Sequence, residues 1–484
     1  MNKILIFAFF FILVNSTVIY VSNSGSDSTG NGSISNPYQT INFAINKSTN
    51  YDHIQIDKGE YQELINLNKM VLLSGSSYYE TKVIGGVVFN QSSIIWTGIV
   101  LQNLIFENTS YMWTIQTAMT FSNVEFRNVQ FKLNGNLTTK NALFHFGGYI
   151  TATGSEGFTM DNIYFYTGTY ENPEGAVFGF RISGGPVTVT GSKVEGYSPT
   201  NQSAQVNFCC HFNNLTIKNS ETNNGGNFYV SLVTDLYVQD NIFNGGPIAI
   251  CACHDAYINN NLFNNSGDYP IYGPGPDPFS EHTGGIGIIG VDFDNPTTQN
   301  VYIYKNLFAG RVRSASVLVN RWTDPPTPDT FSNVVVYQND FSQIDDYPTS
   351  MVIDIAFPGA IIDAKRNYWG SYYGPTTCSV GDLNCSFTST KPLRVRGNVY
   401  VSPWYCDSNM QTETTSGEDC LYLPSSSSQE NSSIVVALSV SLPLAFILVV
   451  VILIFIYRKR KVYRIRKEIF KSYESSEWSS VLTN

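Results

Sequence analysis

Along much of this chain a polar residue opens a short alternation of apolar and variable positions. Asn or Asp is followed by an apolar residue, any residue, and another apolar one. The phrase occurs at Asn103-Leu104-Ile105-Phe106, Asn123-Val124-Glu125-Phe126, Asn141-Ala142-Leu143-Phe144 and Asn162-Ile163-Tyr164-Phe165. It returns at Asn214, Asp235, Asp255, Asn300 and Asn333. The tightest intervals are 20, 18, 21, 21 and 20 residues. Alternation with period two is the mark of a strand with one buried face. A fixed period of this size marks a repeat architecture. It is too short for two helices and suits a coil of two or three short strands. Coils of that kind stack and pair their backbones with each other. The pattern therefore predicts an all-β chain folded as a parallel β-helix. A sandwich would not keep one phrase at one spacing, and a propeller needs blades of roughly 40 residues.

A second phrase follows the first. Asn241-x-Phe243, Asn261-x-Phe263, Asn306-x-Phe308, Asn339-x-Phe341 and Asn367-x-Trp369 predict a ladder of asparagine amides beside a stack of rings. The longer intervals predict insertions. Fifty-two residues separate Asn162 from Asn214, room for two coils, with Pro186-Val187-Thr188-Val189 as the degenerate middle phrase. Forty-five separate Asp255 from Asn300, one coil plus a long loop. Such loops often lie on a binding face.

The ends carry different signals. Residues 1–16 read as a signal peptide, with Lys3 before an apolar run and Val14-Asn15-Ser16 as cleavage site. Residues 434–457 are apolar and long enough to form a transmembrane helix. Eight basic residues follow between Arg458 and Lys471, which marks the cytoplasmic side. The organisation expected is a signal peptide (1–16), a β-helix ectodomain (17–405), a disulfide cap with a Ser-rich stalk (406–433), a membrane span (434–457) and a basic tail (458–484). This is a single-pass type I protein of the plasma membrane whose tail meets anionic lipid. The ectodomain holds 19 basic against 35 acidic residues, a balance that excludes nucleic acid as a partner. Glycosylation sequons at Asn31, Asn46, Asn90, Asn108, Asn136, Asn201, Asn214, Asn264 and Asn431 agree with secretion.

All eight cysteines fall in the ectodomain, where oxidation is expected. Cys378 with Cys385, and Cys406 with Cys420, enclose small loops and read as disulfides, with the crossed pairing open. Cys210 and Cys251 take the same place in their coils with Ser231 between them. Two coil spacings of about 4.8 Å hold them about 10 Å apart, too far for a bond. Cys209, Cys210, His211, Cys251, Cys253 and His254 are a candidate metal set. Buried thiols, or a bond from Cys253 to Cys209 or Cys210, are the plainer readings. No metal or cofactor is expected.

The two ends of the repeat also carry a resemblance. Tyr20-Val21-Ser22, Gly25, Asp27, Gly30, Pro37, Thr40-Ile41 and Ala44 resemble the opening motif of right-handed parallel β-helix proteins of the pectin-lyase-like superfamily. In them the segment leads into a short helix that caps the first coil; here Thr40 is the expected N-cap, with Ile41, Ala44 and Ile45 on one face. Asn367-Tyr368-Trp369-Gly370, Gly374-Pro375 and Ser402-Pro403-Trp404 resemble the closing motif. The resemblance covers roughly residues 18–406 and implies a right-handed coil. It implies no activity, because fold and chemistry are separable. Asp345-Asp346 lacks the Gly-His-Gly and Arg-x-Lys motifs of polygalacturonase-like hydrolases, and no lyase-like calcium cluster is present.

Three features remain as candidate chemistry. Tyr164, Tyr237, Tyr257 and Tyr302 share the outward third place of the phrase. Such a column stacks on sugar rings or, more simply, stabilises the sheet. The insertion from Asp268 to Gly285, with Tyr272 and His282, and the one holding Trp322 are expected to frame a ligand groove or to cover core. Asp292 and Asp294 lie on one strand face, with Asp354 two coils away, as an acid cluster that either serves acid–base hydrolysis or is simply solvated. With no catalytic motif in hand, the function expected is a cell-surface recognition or adhesion glycoprotein that binds glycan or another surface molecule and is not an enzyme. The alternative is a membrane-tethered polysaccharide hydrolase or lyase.

Overall fold

The computed structural model describes residues 16–77, 80–89, 95–108, 119–133, 143–145, 150–167, 176–196, 204–209, 212–265, 284–290, 298–312, 315–321, 331–345, 351–355, 359–379, 393–416 and 420. The expected signal peptide up to residue 15, the stalk, the membrane span and the basic tail lie outside them. No helix among the described residues is long and apolar enough to cross a membrane.

Within the described residues the chain is a parallel β-helix. Every strand pairing is parallel except that of Trp404–Tyr405 with Glu413–Thr414. Three ladders run through the coils. The first climbs from Val18–Val21 through Val187–Thr190, Phe212–Lys218, Val233–Gln239, His254–Asn259, Thr298–Tyr304 and Phe331–Tyr337 to Asn398–Tyr400. The second runs from Gly59–Tyr61 to Asp340–Ile344. The third runs from Leu143–His145 to Arg394–Arg396.

The helix α1 (Ile41–Lys47) packs Ile41, Ala44 and Ile45 on the first coil, and the Thr40 hydroxyl accepts from the Phe43 N–H, as the sequence predicts. The Asp27 carboxylate accepts from the Gln39 and Thr40 N–H groups and the Thr40 hydroxyl, while Glu63 accepts from the Ile41 and Asn42 N–H groups. The donors that a helix start leaves unpaired are thus satisfied. At Gly25 and Gly30 a β-carbon would stand 2.5 and 2.2 Å from backbone oxygens, so only glycine fits these motif positions.

The repeated phrase proves to come from two corners of the coil, each held in the left-handed backbone region. Asn123, Asn214, Asp235, Asp255, Asn300 and Asn333 sit at the corner entering the first ladder, all with φ between 54° and 60°. Asn103, Asn128, Asn162, Asn219, Asp240, Asn260, Lys305, Gln338 and Arg366 sit at the next corner with the same conformation. Asn and Asp tolerate it better than other side chains. Asn103 and Asn162 therefore belong with Asn128 and not with Asn123; Asn141 lies outside the described residues. Counted along the first ladder, Phe158, Val187, Leu215, Leu236, Ala256, Val301 and Val334 are partners separated by 29, 28, 21, 20, 45 and 33 residues. Val187–Thr190 is the middle phrase expected between Asn162 and Asn214.

The interior follows the second phrase closely. Asn241, Asn261, Asn306, Asn339 and Asn367 are buried, and each Nδ2 donates to the Oδ1 of the next at 2.9–3.0 Å. Phe243, Phe263, Phe308, Phe341 and Trp369 stack beside them with centroids 4.7–5.0 Å apart. Cys406 and Cys420 are bonded, as expected, and Cys378 is disulfide-bonded. Cys385 lies outside the described residues.

Candidate functional site

Among the described residues the outer face of the first ladder carries the most organised set of outward, half-buried side chains. Alternation turns Leu236, Ala256 and Val301 inward and the residues after them outward. Register then places Tyr237, Tyr257 and Tyr302 in one row. Their ring centroids are 5.3 Å apart in both pairs, with planes 10° and 14° from parallel. Tyr304 and Tyr337 make a second stack two residues further along, at 5.1 Å. Tyr164 is not part of this row. It lies on the second ladder between Gln130 and Lys193, and its hydroxyl donates to Glu195.

This stacking changes what the row offers. Rings that face one another cannot also face a sugar, so only the terminal faces are open. Along its length the row presents ring edges and a line of hydroxyls parallel to the coil axis. Burial, then Asp255 and the neighbouring tyrosines, push the Tyr257 hydroxyl above its ordinary range. Tyr337 is shifted the same way by burial and its neighbours Tyr304 and Tyr302.

The corner beside the row supplies acids and amides. Asp235 and Asp255 stand in successive coils, followed by Asn300 and Asn333. The Asn300 amide donates to Asp255 at 2.9 Å, and the Asn333 amide donates to Asn300 at 2.8 Å and to the Tyr302 hydroxyl at 3.0 Å. A corner side chain therefore reaches the tyrosine of the adjoining coil. One residue before the corner, His254 Nδ1 and the Gln299 amide are 2.6 Å apart.

The expected acid cluster is arranged differently. Asp354 lies on the third ladder opposite Leu318 and Arg396. Arg396 donates to both of its oxygens, from Nε at 2.7 Å and Nη2 at 2.5 Å, and the carboxylate is buried. That geometry is an internal ion pair. Asp292, Asp294, Tyr272, His282 and Trp322 lie outside the described residues. Sequence reasoning passed over Asp235 and Asp255 because it counted them as turn formers. Their signal was available: of the nine phrases named above, these two are opened by Asp, and they are consecutive.

The cysteine column is shifted by one residue from the expectation. Phe208 pairs with Val230 and Ser231 with Cys251, which aligns Cys209 rather than Cys210 with that column. Cys209 is disulfide-bonded, while Cys251 and Cys253 are free thiols. Among the described residues no group of His, Cys, Asp and Glu is arranged to hold a metal. Burial pushes the Cys251 thiol from 9.0 up to about 12 and Cys253 up to about 11. The raised folded values mean that the stability these two thiols contribute is full below pH 9 and is lost as pH rises from there toward 12. Native protein at neutral pH should leave both thiols unlabelled by iodoacetamide, and both should react after denaturation, as counted by mass spectrometry.

Comparison with known proteins gives no match among family models and none among curated sequences. Solved structures do match in fold. The Azotobacter vinelandii mannuronan C-5 epimerase AlgE6 A-module is 10% identical, with TM-score 0.33, over 75% of this chain and 94% of its own. The GH136 lacto-N-biosidase from Eubacterium ramulus is 12% identical, with TM-score 0.30, over 80% and 67%. The PL6 family polysaccharide lyase from Pseudopedobacter saltans is 10% identical, with TM-score 0.28, over 81% and 93%. All three are carbohydrate-active enzymes by name. Against this finding the expectation of a non-enzymatic recognition or adhesion protein is withdrawn. At these identities and scores the likeness speaks to fold, and it names neither a substrate nor a catalytic residue of this chain.

Proposed function

We propose that this chain is a polysaccharide-acting enzyme, a hydrolase or lyase of pectin-lyase-like architecture. In this reading residues 1–16 direct secretion, residues 434–457 anchor the chain, and the β-helix faces the outside of the plasma membrane. The observation that carries the proposal is one row of stacked tyrosines, ring centroids 5.3 Å apart, beside the corner that holds Asp235 and Asp255. That spacing is comparable to the length of a pyranose ring, so successive sugars of a chain laid along the axis meet successive hydroxyls. Neighbouring strands are about 4.8 Å apart. Two acids in successive coils therefore approach the roughly 5–5.5 Å that separates acid and nucleophile in a retaining glycosidase.

The test is release of reducing ends, or of unsaturated ends, from a panel of neutral and acidic polysaccharides by the full-length protein in detergent. Asp235→Asn and Asp255→Asn should each lower kcat by about 10²–10⁴-fold. Tyr257→Ala should raise KM about tenfold with less effect on kcat. A double Asp235→Asn, Asp255→Asn variant of undiminished activity removes the assignment, and Asp292→Asn with Asp294→Asn is then the next pair to measure.

A further inference from the structure

Both left-handed corners of the coil carry ladders of side-chain amides, and the two ladders end differently. At the second corner Asn162 donates to Asn128 at 2.8 Å, and Asn128 donates to Asn103 at 3.0 Å. Each member is an amide, and the chain ends on the Asn103 oxygen. At the first corner Asn333 donates to Asn300 at 2.8 Å, and Asn300 donates to Asp255 Oδ1 at 2.9 Å. This chain ends on a carboxylate. Its first member also reaches the tyrosine row, because the Asn333 amide donates to the Tyr302 hydroxyl at 3.0 Å. Both hydrogens of that amide are then used, one on Asn300 and one on Tyr302.

We infer that Asn300 and Asn333 are positioning residues of the proposed active site: Asn300 fixes the carboxylate of Asp255, and Asn333 fixes Asn300 together with the Tyr302 hydroxyl. This rests on the catalytic role proposed for Asp255. A half-buried carboxylate turns broadly about its last torsion unless something holds it. The bond from Asn300 occupies Oδ1 and so sets the plane in which Oδ2 is offered. The Tyr302 oxygen accepts from Asn333, which leaves its own hydrogen to be donated to a hydroxyl or ring oxygen of a sugar. One amide therefore aligns a group that acts on the substrate with a group that binds it, across three successive coils. Such support matters to rate, since a misplacement of about 1 Å costs on the order of 10²-fold.

The test compares glycine at two matched corners of the full-length protein. Asn300 (φ 56°) and Asn162 (φ 54°) share the left-handed conformation, which glycine adopts freely, and Gly157 (φ 54°) and Gly191 (φ 58°) already hold it at the first and second corners. Each substitution removes one amide donor from an outer ladder, so Asn162→Gly reports the structural cost alone. The two variants should lose similar thermal stability. On a polysaccharide that the wild type degrades, Asn162→Gly should keep kcat, and Asn300→Gly should lower kcat about 10–100-fold with KM within about twofold. Asn333→Gly should lower kcat about tenfold and also raise KM, because it frees the Tyr302 hydroxyl as well. Added to Asp255→Asn, the Asn300→Gly change should cost nothing further, since Asn300 acts through Asp255. Wild-type kcat in Asn300→Gly overturns the inference, as does a loss that Asn162→Gly matches or that persists in full on top of Asp255→Asn. In those cases an inactive Asp255→Asn leaves the enzymatic proposal standing. Undiminished activity in Asp255→Asn removes the catalytic role of Asp255 and the inference with it.

Discussion

Replacing Asn306 with alanine is expected to destabilise the β-helix by about 3–5 kcal/mol, among the largest effects of any single substitution in it. Asn306 is the centre of the buried amide ladder. Its Oδ1 accepts from both the backbone N–H and the side-chain amide of Asn261, at 2.9 and 3.0 Å. Its Nδ2 donates to the Ile258 carbonyl at 2.9 Å and to Asn339 at 3.0 Å. Truncation removes all four bonds and strands the Asn261 N–H in the interior. A buried donor left without a partner costs about 1–3 kcal/mol, and the surrounding groups add to it. Asn241→Ser is the informative contrast. In the two coils before it the same column is filled by Ser220 and Ser192, whose hydroxyls accept from the Ser192 and Ile163 N–H groups at 3.1 Å. A serine at 241 keeps the acceptor that the Ser220 N–H uses and should lose only about 1–2 kcal/mol. Urea midpoints followed by circular dichroism and by limited proteolysis check both values. The two probes are needed because coils that contact only their neighbours can unfold in parts.

The contrast also explains what was readable in the chain. The Asn-x-Phe columns were legible because a buried amide ladder accepts few substitutes and a ring stack rewards identical neighbours. Asn241 to Asn367 and Phe243 to Trp369 therefore appear in the sequence as they stack in the structure. The Asn-apolar-x-apolar phrase was legible as strand and turn but ambiguous in place. Two corners of each coil take the left-handed conformation, and at the first corner, as at Asn103, Asn128 and Asn162 of the second, Asn or Asp precedes an inward apolar residue. Asn103 and Asn123 look alike for that reason although they occupy different corners. Tyr164 was misplaced with them. The exposed face was least legible. Asp235 and Asp255 satisfy the corner by themselves, so nothing in their spelling separates a turn former from an acid beside a tyrosine row. That the row offers edges rather than faces follows from ring planes, which the sequence does not carry.

The second large effect is expected at the pair formed by Asp354 and Arg396. Arg396→Ala should destabilise the protein by about 3–5 kcal/mol, because it leaves a buried carboxylate without its partner charge. The two residues face each other across adjacent strands of the third ladder, and the guanidinium meets the carboxylate through two parallel bonds. Replacing both at once, Asp354→Leu with Arg396→Met, should restore most of the loss, since apolar groups of similar volume need no desolvated charge to be balanced. The comparison separates structure from catalysis at this site. A catalytic Asp354 would lose turnover in the stable apolar pair, which lacks the carboxylate. An Asp354 that serves only the ion pair gives a stable double variant with wild-type kcat, while Arg396→Ala loses activity only as its folded fraction falls. Thermal unfolding and turnover measured on the same preparations decide the matter. The expected pattern, stability lost in the single variant and both properties kept in the double, leaves Asp235 and Asp255 as the described acids placed to act beside the tyrosine row.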